Sequence, residues 1–281
     1  MSLAEVVLSL EMGMIYGIVA MGIYFTFRVI DFPDLTCDGS FVLGACVSGV
    51  MIKAGYNPLL SLLIALLSGA ISGVFTGILN TKLKITNLLS GILMAFMLYS
   101  INLKIMGGSP NITLMEDVTI FTNLDPLLTL GLICLLVWCL CGYTLSTDFG
   151  LALRSIGQNK RVALNGGVNV ERMTILGLAL GNSLIAFGGG LLSQHQGFVD
   201  VGSGVGTIII GLASLMIGEK VFPFRSPWWG GLACIVGSVI YRLFISFALH
   251  SDTLGFETQD LNLITGLLVI GAMVLPRRHL C

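Results

Sequence analysis

The sequence predicts an all-α polytopic membrane protein of about nine transmembrane helices, within a range of eight to ten, with an inverted repeat and broken helices. Three observations lead there. Of 281 residues, 55% are hydrophobic and only 10% are charged, where a soluble domain carries about 25% charge and needs it to cover its surface. Apolar runs long enough to cross a bilayer follow one another with short connections. Two short segments, one in each half of the chain, share the same wording on opposite sides of the expected membrane.

The spans come first. A crossing needs about 20 mainly apolar residues. Candidates lie near 3–27, 35–52, 57–80, 86–106, 124–145, 174–194, 205–221, 227–249 and 261–276. The second and seventh are short and carry Gly and polar residues. No soluble domain fits between the spans, so residues 1–281 read as a single transmembrane domain. The 36 glycines are spread through the apolar runs, as in membrane helices whose backbones approach closely. The opening MSLAEVVLSLEMG has no basic region and no small-residue cleavage site, so it reads as a first span. Most of the seven cysteines fall inside apolar runs and none forms a CxxC pair, which makes them small buried hydrophobes.

Orientation follows from the basic residues. With the N-terminus outside, the inner loops hold Arg28, Lys82, Lys84, Arg154, Lys160, Arg161, Arg172, Lys220, Arg225, Arg277 and Arg278, eleven of the 14 Lys and Arg. The expectation is N-terminus outside and C-terminus cytoplasmic, with acidic outer segments at 110–125 and 251–260. A net charge of -1 gives no basic field for nucleic acid.

The repeat pairs FPDLTCDGSFVLGA, from Phe32, with FVDVGSGVGTIIIGLA, from Phe198. Both begin Phe-x-Asp-aliphatic, pass through small polar residues and enter an apolar run. The first follows a span on the inside and the second follows a span on the outside, the arrangement of an inverted-repeat transporter. Irregular backbone at membrane depth is tolerated where it is buried in protein or lines an aqueous cavity. Asp34, Asp38, Ser40, Asp200 and Ser203 are therefore candidates for lining or gating a path. Asp34 and Asp200 have a second reading, as caps of the helices that follow them.

Glu11 and Arg242 lie inside spans, where an ionised group is costly and faces the bundle interior or water. Glu11 joins the path candidates. Pairing of the two with each other or with Glu219 would offset the cost. Gln194, His195 and Gln196 end the sixth span, open to an incoming solute, a docked protein or interfacial water. Gly69, Gly73 and Gly77 share one helix face and predict a close-packing surface. Gly188–Gly190 read as packing or as a hinge. Three His without ligand spacing, no GxxxxGK[ST] and no GxSxG leave no catalytic or metal constellation.

One stretch remains, DFGLALRSIGQNKRVALNGGVNVERM, Asp148–Met173, a basic island between apolar runs. Thr147 and Asp148 can cap a helix starting at Gly150, and Gly157 can break it. Asn159 can cap a second short helix, KRVALN, which Gly166 and Gly167 stop. Val162, Ala163 and Leu164 would be exposed beside Lys160 and Arg161. An apolar centre with a basic rim suits docking into a cleft on another protein. A solvated positive-inside loop is the plainer alternative.

The island carries a resemblance. Gly150, Ala152, Leu153, Arg154, Gly157, Asn159, Ala163, Gly167, Val168 and Asn169 stand in a pattern that resembles the cytoplasmic loop of ABC importer permeases of the branched-chain amino acid and ribose type. FRVIDFPDLTCDGSFVLGA, YSINLKIMGGSPN and GNSLIAFGGGLLSQHQGFVDVGSGVGTIIIGLASLMIGE are similar to permeases of tryptophan/tyrosine-type uptake systems. The resemblance implies a bacterial inner-membrane permease and an amino acid solute, aromatic such as tryptophan or tyrosine. Its implied partners are a second permease copy, a cytoplasmic ATPase subunit that uses ATP and Mg, an extracytoplasmic solute-binding protein and membrane lipid. It implies no enzyme activity and no cofactor in this chain. In that family the 148–173 loop holds the coupling helix, so the ATPase-coupling residues would be Arg154, Gly157, Asn159, Lys160, Arg161, Val162, Ala163, Leu164 and Gly167. The competing reading is a proton-coupled secondary transporter using Glu11 and Asp38; a third is a membrane scaffold without transport.

Overall fold

The computed structural model describes residues 3–122, 124–222, 226–249, 265–266 and 270–271. Ten α-helices run in chain order: α1 Leu3–Ile23, α2 Cys37–Lys53, α3 Pro58–Thr81, α4 Asn87–Ile105, α5 Pro126–Ser146, α6 Asp148–Gln158, α7 Lys160–Asn165, α8 Val170–Gln196, α9 Thr207–Val221 and α10 Pro227–Leu249. A π-helical turn, Tyr24–Val29, extends α1. Strands β1 Asn111–Thr113 and β2 Phe198–Asp200 form one antiparallel pair. Among the described residues seven helical stretches are long and apolar enough to cross a membrane, α9 being counted with the 3-10 turn Val201–Gly204 that precedes it. Eight of the nine expected spans are present as helices. The ninth, 261–276, and the outer segment 251–260 lie largely or wholly outside the described residues.

Helix α8 is the axis of the bundle. Its 27 residues rise about 40 Å, more than the roughly 30 Å of a hydrocarbon core. Three glycine positions of α3 meet it: a Cβ on Gly69, Gly73 or Gly77 would collide with Asn182, Leu178 or Ile175. The opposite face of α3 carries Leu59, Leu63, Leu67, Ile71 and Phe75, all more than half exposed. Spacing by four puts the small stripe inward and the large stripe toward lipid. Gly188, Gly189 and Gly190 are not a hinge. They lie within α8, and each faces a different neighbour: Val19 of α1, Phe41 of α2 and Leu62 of α3.

The repeat creates two interruptions, and α8 gives their depth. Gly177 meets Ile30, where the chain leaves the π turn. Asn182, five residues further on, donates to Asp34 Oδ2 at 2.6 Å. The chain therefore climbs about 7 Å into the bundle before α2 starts. Ser40, in the first turn of α2, donates to Asn182 Oδ1 at 2.7 Å. On the other side, Phe198–Gly206 descends along α2, with Val199 against Gly49 and Gly204 against Val42 and Asp38. Helix α9 begins there, level with Asn182, about 18 Å from one end of α8 and 21 Å from the other. It runs to the end of the bundle where Glu219 meets Arg28, while α2 runs the opposite way. The two similar segments thus open helices of opposite direction near mid-depth.

The descending backbone keeps its hydrogen bonds. β2 pairs with β1, Val201 N–H donates to the Pro110 carbonyl at 3.0 Å, and Gly202 N–H donates to Asp200 Oδ1 at 2.8 Å. This is the condition for irregular chain at membrane depth.

Replacing Gly73 with Leu should overpack the α3–α8 contact and cost about 1–3 kcal/mol, read as a lower Tm in detergent. Gly131→Ala, where a Cβ meets nothing within 4 Å, should leave Tm unchanged.

Candidate functional site

Two places gather the chemistry: the α6–α7 unit at the basic end of the bundle, and the polar centre where α2 and α9 begin. Helix α6 starts at Asp148, two residues earlier than the sequence suggests. Thr147 is extended (φ -80°, ψ 170°), and its hydroxyl turns back to donate to the Thr144 carbonyl at 2.6 Å rather than capping α6. Gly150 packs directly on the Leu145 backbone, so a single residue joins α5 to α6. Gly157 does not break the helix. It lets α6 rest on the Val29 carbonyl at the end of the π turn, and the helix ends at Asn159, whose backbone is extended.

Asn159 caps α7 as expected: its Oδ1 accepts from Arg161 N–H at 3.0 Å and Val162 N–H at 3.3 Å. Gly167 takes φ +80° and stops α7, with Val168 N–H closing on the Ala163 carbonyl at 3.0 Å. Asn169 caps α8 through Arg172 N–H at 3.0 Å. Lys160, Arg161, Val162 and Leu164 are exposed, the two apolar side chains by 63% and 58%. Ala163 is buried, contrary to the sequence reading: it lies in the helix that packs against α6 and α8 while Val162 and Leu164 turn outward. Arg154 lies one turn before Gly157 on α6, half-buried beside Arg28 and Tyr24.

The polar centre is a closed network. Ser40 also bonds the Ser72 hydroxyl at 2.7 Å, Thr36 bonds Thr76 at 2.9 Å, and Thr36 N–H donates to Asp34 Oδ1 at 2.9 Å. Asp34, Thr36, Ser40, Ser72, Thr76 and Asn182 are all buried. Asp34 therefore does more than hold the local turn, since its second oxygen ties α2 to α8. Asp38 caps a helix other than its own. It accepts from Ile208 N–H at 2.9 Å and Gly206 N–H at 3.3 Å, satisfying donors at the start of α9. Asp200 caps the 3-10 turn, and Ser203 donates to the Asp200 carbonyl at 2.7 Å.

Asp38 also lines a groove of about 110 Å³ with Gly39, Ala95, Tyr99, Asn102 and Val205. Asn102 Nδ2 donates to the Gly39 carbonyl at 3.2 Å, while its buried Oδ1 has no partner among the described residues. The groove is smaller than the roughly 300 Å³ at which ligand pockets start. It is a crevice at the joint, not a formed solute site. Sequence reading missed Ser72, Thr76, Asn182, Tyr99 and Asn102. Ser72 and Thr76 could have been found as a polar i, i+4 pair beside the Gly69–Gly77 stripe. Asn182 left only one amide, next to Ser183, in an otherwise apolar and glycine-containing run.

The expected partners of Glu11 and Arg242 are corrected. Glu11 pairs with His195 Nε2 at 2.9 Å, and Phe121 stands edge-on to the His195 ring at 5.5 Å. Arg242 stacks over Tyr16, its guanidinium carbon 4.1 Å from the ring centroid. Glu219 belongs to Arg28, with Nη2–Oε2 at 2.9 Å. Register decides this: Gly13 and Gly17 of α1 face α10, while Glu11 faces α8. Gln194 is buried, accepting from Ile120 N–H at 3.2 Å and donating to Ser48, Ser61 and the Pro58 carbonyl. Among the described residues no group of three His, Cys, Asp or Glu could hold a metal.

This fold, with interrupted helices and a short capped helix at its basic end, is that of a multi-pass membrane transport protein. The family described as branched-chain amino acid transport system / permease component matches residues 6–275, and the chain belongs to it. It is 38% identical to a tyrosine transport system permease protein of Clostridioides difficile over 92% of this chain and 86% of that one. It is 32% identical to an uncharacterized protein of Rickettsia prowazekii over 96% and 97%. A ribose import permease protein of Bacillus subtilis is 26% identical over 94% and 82%. No solved structure matches.

Asp38→Ala should cost about 0.5–2 kcal/mol, as for a lost helix cap, and speed amide exchange at Gly206 and Ile208; Asp38→Asn should keep most of the cap. Asn182→Leu should cost about 1–3 kcal/mol, because Asp34 and Ser40 stay buried without their partner. Tm in detergent and hydrogen exchange by mass spectrometry check both.

Proposed function

We propose that this chain is the membrane-spanning subunit of an ATP-driven ABC importer in the bacterial cytoplasmic membrane. Two copies would work with two ATPase subunits, which bind ATP and Mg, and with an extracytoplasmic solute-binding protein. The N-terminus is outside and the C-terminus inside, so the basic end of the bundle is cytoplasmic. One observation carries the reading: an Asn-capped helix of six residues presents Val162 and Leu164 outward beside exposed Lys160 and Arg161. A rigid apolar knob with a basic rim is what a cleft on a second protein can grip. The solute is an amino acid, aromatic such as tyrosine or tryptophan. The full-length similarity to a permease named for tyrosine supports that choice over a sugar.

The contacts suggest how the pull would travel. Helix α7 leads into α6, whose Gly157 rests on the end of the π turn. Arg28 in that turn grips Glu219 near the end of α9. The other end of α9 hangs on Asp38 of α2. ATPase closure would move α6 and α7 and shift α9 against α2, opening or closing the groove beside Asp38. A proton-coupled carrier is less well supported, since Glu11 is committed to His195 and Asp38 to a helix cap.

The double variant Arg154→Ala/Asn159→Ala should insert normally and hydrolyse ATP with its ATPase, yet lose uptake by about 5–150-fold, the range of ordinary coupling energies. Uptake in vesicles of the assembled complex, measured beside ATP hydrolysis, checks this. Unchanged uptake would remove the coupling role. Uptake by the chain alone under a pH gradient would support the carrier instead.

A further inference from the structure

A second cleft lies at the basic end. It has a volume of about 280 Å³ and is lined by Tyr24 and Arg28 of the π turn, Arg154 and Gln158 of α6, and Ser226 and Pro227 at the start of α10. Two arginines line it, and among the described residues no carboxylate does. Arg28 is already paired with Glu219. Arg154 makes one long bond to the Gly150 carbonyl, 3.4 Å, and has no acidic partner among the described residues. Among the described residues the cleft thus offers Arg154 without an acidic partner, beside an Arg28 held by Glu219 and near Asp31, with phenol, amide and hydroxyl groups around them.

Its surroundings say what kind of anion reaches it. Trp138 stands edge-on to Trp228 at 5.5 Å and donates its indole N–H to the Trp228 carbonyl at 3.0 Å. Trp229 stacks on Phe222. Both Trp228 and Trp229, next to Pro227, are exposed. The face of α5 away from Trp138 shows Leu136, Leu140 and Tyr143, each more than half exposed. Exposed Trp and Tyr at the end of apolar helices mark the membrane–water boundary. A basic cleft between helices at that depth meets lipid headgroups. Helix α7 leads away from it toward α8.

We infer that this cleft binds the phosphate of an acidic phospholipid, with Arg154 and Arg28 as its cationic partners and the tryptophans flanking its acyl chains. The bound lipid would tie α6 to α1 and α10.

The test uses the full chain purified in detergent without ATPase, so its outcome is separate from the coupling experiment. Phosphatidylglycerol and phosphatidylcholine compete for the protein, and native mass spectrometry counts bound lipid. The expected result is a preference of about fivefold for phosphatidylglycerol, the effect of one interfacial cation. Arg154→Gln should abolish it, and Arg154→Lys should keep most of it. Lys160→Gln, which removes an exposed cation from α7, should also keep it. Gln158→Glu, a carboxylate added at the exposed rim, should lower it even if Arg154→Gln fails to fold. No preference in the unaltered chain overturns the site. So does equal loss in Lys160→Gln, or an unchanged preference in Gln158→Glu. Binding of inorganic phosphate without lipid preference overturns the assignment to lipid.

Discussion

One carboxylate, Asp38, stands in the first turn of one helix and satisfies the first turn of another in the middle of the bundle. Interrupting a helix at membrane depth leaves backbone N–H groups without partners, and hydrocarbon offers them none. The chain answers with Asp38 at α9 and with Asp34 at the turn before α2. Both carboxylates lie at helix N-termini, where the backbone dipoles favour negative charge. The arrangement also restricts motion. α2 and α9 share little besides this joint: α9 packs on α10, Gly218 on Ala233 and Gly237 on Ser214, while α2 is locked to α3 and α8 through Ser40, Ser72, Asn182 and the glycine contacts, so a motion at the joint would carry α9 and α10 together.

The same division runs through the bundle. The α2–α3–α8 block packs backbone against backbone, with Gly44 on Ala186, Gly73 on Leu178 and Gly189 on Phe41. The α6–α7 unit is anchored chiefly through α6: Leu153 and Ile156 are buried, Leu153 beside Gly177 of α8, while Gly150 sits on Leu145 and Gly157 on Val29. In the proposed importer, α6 would carry a pull on the exposed α7 to the end of the π turn, where Gly157 rests on Val29.

Much of this was legible in the sequence, because its causes are local. The span lengths, the Gly69–Gly77 stripe, the Asn159 cap and the Gly167 stop each depend on neighbours within a few residues. The paired Phe-x-Asp segments pointed to interrupted helices of opposite direction, as found. What was not legible depends on register between distant helices. Glu11 and His195 are 184 positions apart, and nothing in either span says which faces meet. The start of α6 was misplaced because Gly150 sits against Leu145, a contact that forces the turn into one residue. Asn182 was missed because a single amide in an apolar, glycine-containing run gives no period to read, although it joins Asp34, Ser40 and the α8 backbone.

The central claim is that the α6–α7 unit at the basic end moves α9 against α2 at the Asp38 joint. Tyr99 of α4 and Val205, just before α9, both line that groove and are exposed. Spin labels at Tyr99→Cys and Val205→Cys, in a cysteine-depleted chain assembled with its ATPase, report their separation by dipolar broadening. The account predicts that trapping the ATPase with ATP changes the broadening in the intact complex and leaves it unchanged when Asn159→Ala removes the α7 cap. Broadening that ignores nucleotide, or that responds equally without the cap, would contradict it.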